Sequence, residues 1–220
     1  MYKVFSLIKY DCKAHFISNS NWLQPLLFMI ILSSIFAFSF DTVLEPKAYA
    51  GVVFWLGNVL AVLLSLNTFL RAEDWQGTLS QYAFSPLPLW LFCFIKCLVH
   101  WIVTCLPLVL AAPLLALSFD LELNAAFIAT LSLLVGSFSL SFIGLVAATL
   151  VLRLESANLL LCLLLLPLYV PIILFGAGII NMYFIGLSII PLLVLLLGIS
   201  VMSLGICPLL MSYVLKVGMS

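Results

Sequence analysis

Lys96, His100 and Thr104, with Cys93 and Cys97 beside them, are the residues whose types and spacing could do chemistry. At 100° per residue they share one arc of roughly 100° on a helix. An imidazole so placed can ligate a metal or a haem iron through a ring nitrogen, or hydrogen-bond a neighbouring helix. Cys93 and Cys97 could join it around a metal, or serve as small apolar packers. Lys96 stands little more than two helical turns from Pro88, close enough to extend its ammonium to the membrane surface. It could equally pair an anion one turn from His100.

The elements that carry these residues are written in the composition. Of the 220 residues, 66% are hydrophobic and 7% charged, against about 25% charged in an ordinary soluble domain. Lipid must replace water around most of such a chain. The pattern predicts an all-α integral membrane protein, a single transmembrane domain over 1–220. Its six spans are expected at about 22–40, 51–70, 88–117, 125–152, 158–180 and 187–215. Pro107 and Pro113 predict a kink or break in the third. Asn181–Gly186 reads as a tight turn.

Residues 1–21 are too polar to cross, and within them 1–18 carry a helical pattern. Val4, Phe5, Ile8, Cys12 and Phe16 recur at helical spacing, with Lys3, Lys9 and Lys13 mostly elsewhere. This is an amphipathic helix in the membrane surface, or a frayed polar terminus. Lys3, Lys9, Lys13, Arg71, Arg153 and Lys216 fall on one side and Lys47 alone on the other, which places both termini in the cytoplasm.

The longest cytoplasmic connection, Arg71–Pro88, opens with Arg71, Glu73 and Asp74. It continues through Gly77 and Thr78 to Leu79, Tyr82 and Ala83 at helical spacing. It is a short amphipathic helix on the cytoplasmic surface or a solvated connector.

Several chemistries are not indicated. The balance of eight basic and eight acidic residues points to no nucleic-acid partner. No GxxxxGK[ST] cradles a nucleotide and no paired acidic clusters suggest hydrolysis, so the chain is expected not to be an enzyme. Cys12, Cys93, Cys97, Cys105, Cys162 and Cys207 form no CxxC or CxxCH, so neither a redox pair nor a covalent haem site is expected. Every Asp and Glu falls at a span end or in a loop, which argues against an ion-coupled carrier.

From Arg71 to Pro113 the chain resembles the haem exporter protein B (CcmB) family, the membrane subunit of the cytochrome c maturation ABC system. The resemblance rests on Arg71, Glu73, Gly77-Thr78-Leu79, Pro86-Leu87-Pro88, Lys96 before His100-Trp101, Leu106-Pro107-Leu108 and Pro113. Gly136, Gly144 and Pro167-x-x-x-Pro171 extend it. Ser80 departs from it, standing where the family often has Glu.

The resemblance implies an ABC-2-exporter-like permease in the bacterial inner membrane. Its implied partners are a cytosolic ATPase, a haem-handling membrane subunit, a small single-span subunit and a periplasmic haem chaperone. The loop becomes a coupling helix between spans two and three. Arg71, Glu73, Asp74, Gly77, Thr78 and Leu79, with Arg153 and Glu155 of the next cytoplasmic turn, then form the ATPase-coupling surface. Haem is implied as cargo of the complex, with no cofactor bound to this chain. The chain would couple ATP hydrolysis to haem delivery or to release of the chaperone. The alternatives are a non-transporting scaffold and a permease of another ABC exporter. His15 and His100 lie far apart and no arginine neighbours His100. The reading therefore has His100 and Lys96 line a helix–helix contact, with His100 neutral and hydrogen-bonded, rather than a haem site.

Overall fold

The computed structural model describes residues 8, 11–13, 23–40, 46–75, 88–152 and 157–219. Every regular element among them is helical: α1 (Leu23–Phe40), α2 (Pro46–Trp75), α3 (Leu89–His100), a π-helical segment (Trp101–Cys105), α4 (Leu106–Ser118), α5 (Leu123–Val151), α6 (Ala157–Phe184) and α7 (Ile190–Met219). Among the described residues five stretches are long and apolar enough to cross a membrane: Tyr49–Leu66, Leu89–Ser118, Leu123–Val151, Leu159–Phe184 and Ile190–Val217. Leu23–Ser39 is apolar but shorter. At 1.5 Å per residue it covers about 26 Å, near the lower limit for a span.

The helix boundaries follow local chemistry. Pro46 opens α2, where its missing N–H costs nothing. Pro88 is extended ahead of α3, and its carbonyl accepts from Leu91 N at 3.0 Å and Phe92 N at 3.3 Å. Glu122 caps α5 in extended conformation, its charge at the positive end of the helix dipole. The α6–α7 turn closes on Gly186 at φ 77°, with Leu187 N donating to Met182 O at 2.9 Å. That left-handed C-cap geometry suits glycine.

The helices depart from the expected spans and turns at three places. α2 does not stop at Leu70 but continues through Arg71, Glu73 and Asp74 to Trp75. Charged residues end a span without ending its helix. Asn181–Phe184 are the last turn of α6 and not part of the turn. The third span is neither broken nor interrupted at Pro113. It runs as α3, the π segment and α4 in one stretch. The π turn ends just before Pro107, with Leu106 N–H reaching back to the Trp101 carbonyl. The wider turn absorbs the proline's missing donor and ring bulk.

α5 is the centre of the bundle, packing on α7, α6, α2, α4 and the π segment. Its buried face is rich in small residues: Ala125, Ala129, Ser132, Gly136, Ser137, Ser141, Gly144 and Ala148. In lipid, where apolar surface gains little by leaving the solvent, small residues let helices approach closely enough for packing and hydrogen bonds to hold them. α6 and α7 carry much of the exposed apolar surface, including Leu159, Leu163, Leu174, Val194, Val201 and Met202.

Candidate functional site

His100 ends α3 with its side chain fully buried. Its Nε2 lies 2.9 Å from Ser65 Oγ of α2, and its Nδ1 lies 2.7 Å from Ser141 Oγ of α5. Ser65 donates its own proton to the Val62 carbonyl at 2.8 Å. It must therefore accept from Nε2–H. Nδ1 is then left to accept from the Ser141 hydroxyl, which fits a neutral ring. Phe69 meets the imidazole edge-on at 5.0 Å between centroids. Both ring nitrogens are thus occupied by serines of two other helices. Iron coordination here would have to displace one of them.

Lys96 sits one turn earlier on α3 and does not snorkel. It is 3% exposed, and its Nζ lies 2.7 Å from Asp11 Oδ2 and 5.4 Å from the centroid of the Phe92 ring. A lysine held inside the boundary of a span needs a partner, because an unpaired charge there is costly. The partner comes from the N-terminal segment. Its described residues Asp11–Lys13 are helical. Ile8 and Cys12 pack against the core while Lys13 is exposed. At these positions the segment rests on protein, not on lipid alone. The rest of residues 1–18, with His15, lies outside the described residues. Burial, and then the Asp11 charge, push the Cys12 thiol above its ordinary range, with Lys96 partly opposing.

Thr104 is buried in the π segment. The stripe Lys96, His100 and Thr104 is therefore not one cluster: Lys96 meets the N-terminal segment, while His100 ties α3 to α2 and α5. Cys93, Cys97 and His100 do not gather as a ligand set, and no group of three His, Cys, Asp or Glu able to hold a metal occurs among the described residues.

α5 is a polar spine for the rest of the bundle. Trp55 of α2 donates to Ser132 Oγ at 3.1 Å, and Trp101 of the π segment donates to Ser137 Oγ at 2.9 Å while stacking on Phe138. Tyr169 of α6 donates to the Leu140 carbonyl at 2.7 Å, and Ser200 of α7 to the Val135 carbonyl at 2.7 Å. The Trp55 indole fits only because two helices present glycine. A Cβ on Gly136 would lie 2.2 Å from it and one on Gly176 2.0 Å. Gly144 likewise gives room to the Tyr169 hydroxyl and Leu66. The sequence reading missed Ser65, Trp55, Ser132, Ser137, Ser141 and Ser200. The available signal was serine recurring through α5.

The expected coupling residues are only partly described. Arg71, Glu73 and Asp74 belong to the last turns of α2. Gly77, Thr78, Leu79, Arg153 and Glu155 lie outside the described residues. The helix ends that flank them do share one face of the bundle. Trp55–Ser132 and Ser65–His100–Ser141 run α2 and α5 in the same direction, so Trp75 and Val151 end together, and α3 and α6 begin there.

A bundle of long apolar helices, tied internally by buried serine, tryptophan and histidine contacts, defines a multi-pass membrane protein. The chain belongs to the CcmB family: the family model described as "CcmB protein" matches residues 2–218. Among similar proteins, "Heme exporter protein B" of Pseudomonas aeruginosa is 37% identical over 181 residues, covering 81% of each chain. The protein of that name from Rhodobacter capsulatus is 42% identical over 159 residues, covering 72% of this chain and 73% of its own. That from Bradyrhizobium diazoefficiens is 33% identical over 174 residues, covering 79% and 78%.

Proposed function

We propose that this protein is the membrane subunit of an ABC-type haem-export complex for c-type cytochrome biogenesis. The observation that carries the reading is the family match over residues 2–218. On this reading the chain is not itself an enzyme. It couples ATP hydrolysis by a cytosolic partner to haem delivery or release of a periplasmic haem chaperone, alongside a haem-handling membrane subunit and a small single-span subunit. The chain sits in the bacterial inner membrane with Leu23–Phe40 as its first crossing, which gives six spans and cytoplasmic termini. The ends of α2 and α5 and the starts of α3 and α6 then face the cytoplasm, where loops 76–87 and 153–156 receive the ATPase.

A second reading, a scaffold that conducts no haem, draws on the His100 contacts. The imidazole is engaged by Ser65 and Ser141 on its two nitrogens, which suits a residue that holds helices together.

The test is a strain lacking the chromosomal copy. Haem-staining of membranes should show c-type cytochromes lost and b-type cytochromes retained, with recovery on expression of this chain. Undiminished c-type cytochromes in the deletion strain would defeat the proposal.

A further inference from the structure

Asn58 is 1% exposed in the middle of α2, and neither its amide oxygen nor its amide nitrogen has a hydrogen-bond partner among the described residues. The hydroxyl of Ser33, fully buried in the middle of α1, has none either. Buried polar groups are almost always paired, with protein or with ordered water. Two orphans on neighbouring helices at mid-depth of a membrane bundle therefore call for an explanation of their own.

Their surroundings supply one. A Cβ on Gly57 would meet Leu32 at 3.4 Å and Met29 at 3.6 Å. This contact fixes the register of α1 on α2 and puts Ser33 and Asn58 within about one helical turn of each other in depth. Each is one residue, or about 100°, beyond the contact. Because the helices are antiparallel, both turn toward the same side. That side faces the third span. On the same face of α2, Phe54 meets Phe119 edge-on at 5.2 Å and Ser65 meets His100 at 2.9 Å. Asn58 lies between these two contacts, level with the first turns of α4, and α4 also packs on α1. Here the third span has a backbone acceptor to spare. Pro113 has no N–H for the Val109 carbonyl.

We infer that Ser33, Asn58 and the Val109 carbonyl freed by Pro113 bind ordered water at the junction of α1, α2 and α4. Water can donate to the Val109 carbonyl and to the Asn58 oxygen while accepting from the Asn58 nitrogen and the Ser33 hydroxyl. Each group then finds the complement it lacks in the protein. A hydrated junction also keeps the carbonyl opposite Pro113 from being stripped bare in lipid. The inference rests on the orphaned groups and is independent of the proposed function.

Radiolytic hydroxyl-radical footprinting tests it on the full-length protein in nanodiscs, because radicals form from bound water in place. Met29 and Met211 are both fully buried, but only Met29 lines the junction. Met29 should be oxidised several-fold faster than Met211, and Asn58→Leu should bring its rate down to that of Met211. Ser33→Ala should lower it partway. Equal rates for Met29 and Met211 in the unaltered protein would overturn the inference without any variant. A fast Met29 rate unchanged by Asn58→Leu would overturn the assignment to Asn58.

Discussion

Asp11 reaches Lys96 across 85 residues of sequence, carboxylate to ammonium at 2.7 Å, with both side chains largely withdrawn from solvent. The pair anchors the described part of the N-terminal segment to the third span, about two turns into α3. Removing one member leaves the other charge buried and alone, which costs about 3 kcal/mol or more. Asp11→Leu and Lys96→Met should therefore each lower the thermal stability of the detergent-purified protein. The double variant should be more stable than either single one, because an apolar pair leaves no orphan charge. Strictly additive losses would mean that the two residues do not interact.

Cys12 gives the same docking a pH readout. The thiolate is the reactive form, and burial together with Asp11 holds the Cys12 thiol above its ordinary range. At neutral pH, in a variant with the other five cysteines replaced, maleimide should label Cys12 more slowly than an exposed cysteine. The rate should keep rising as pH passes the usual thiol range. Asp11→Asn removes one of the causes that raise the thiol and should speed labelling at pH 7.5. A rate that levels off at ordinary thiol pH would contradict the docked arrangement.

The glycines around Trp55 separate packing from composition. Gly176→Ala forces a methyl into the indole and should destabilise by about 1–3 kcal/mol, as overpacking does. Gly198→Ala and Gly205→Ala on α7 meet nothing within 4 Å and should be neutral or slightly stabilising, since alanine is the better helix former. Combining Trp55→Leu with Gly176→Ala should cost less than the sum of the two changes. Equal effects at Gly176 and Gly198 in thermal melts would refute the Trp55 contact.

His100→Ala removes the imidazole that ties α2, α3 and α5 together. Ser65 keeps a carbonyl acceptor at Val62, and Ser141 has one 3.4 Å away at Cys97. The loss is therefore chiefly packing, about 2–4 kcal/mol by analogy with other large-to-small core changes. In the subunit purified without its haem-handling partner, no Soret band is expected, with or without the substitution. A Soret band in the unaltered subunit that His100→Ala abolishes would make His100 a haem ligand.

The long apolar stretches were legible in composition because each helix is read locally, and α5, α6 and α7 fall within a few residues of expectation. The contacts between helices were not legible in this way. Lys96 looked free to snorkel because its partner lies in a segment read as resting on lipid. Ser65 and Ser141 looked like ordinary serines because nothing in a helix's own period marks which hydroxyl will face an imidazole. Pro107 pointed to a disturbance at the right place, but whether a chain answers a proline by a break or by a π turn depends on its neighbours. Asn58 carried no signal beyond being polar in an apolar run.

The most direct test of the coupling role is co-purification of the cytosolic ATPase from membranes in which this chain carries an affinity tag. The unaltered chain should recover the ATPase. Gly77→Pro, which would stiffen and distort the loop between α2 and α3, and Glu73→Lys, which inverts a charge at the end of α2, should each reduce recovery several-fold while the chain remains in the membrane in normal amount. No ATPase with the unaltered chain, or undiminished recovery with both variants, would contradict the account.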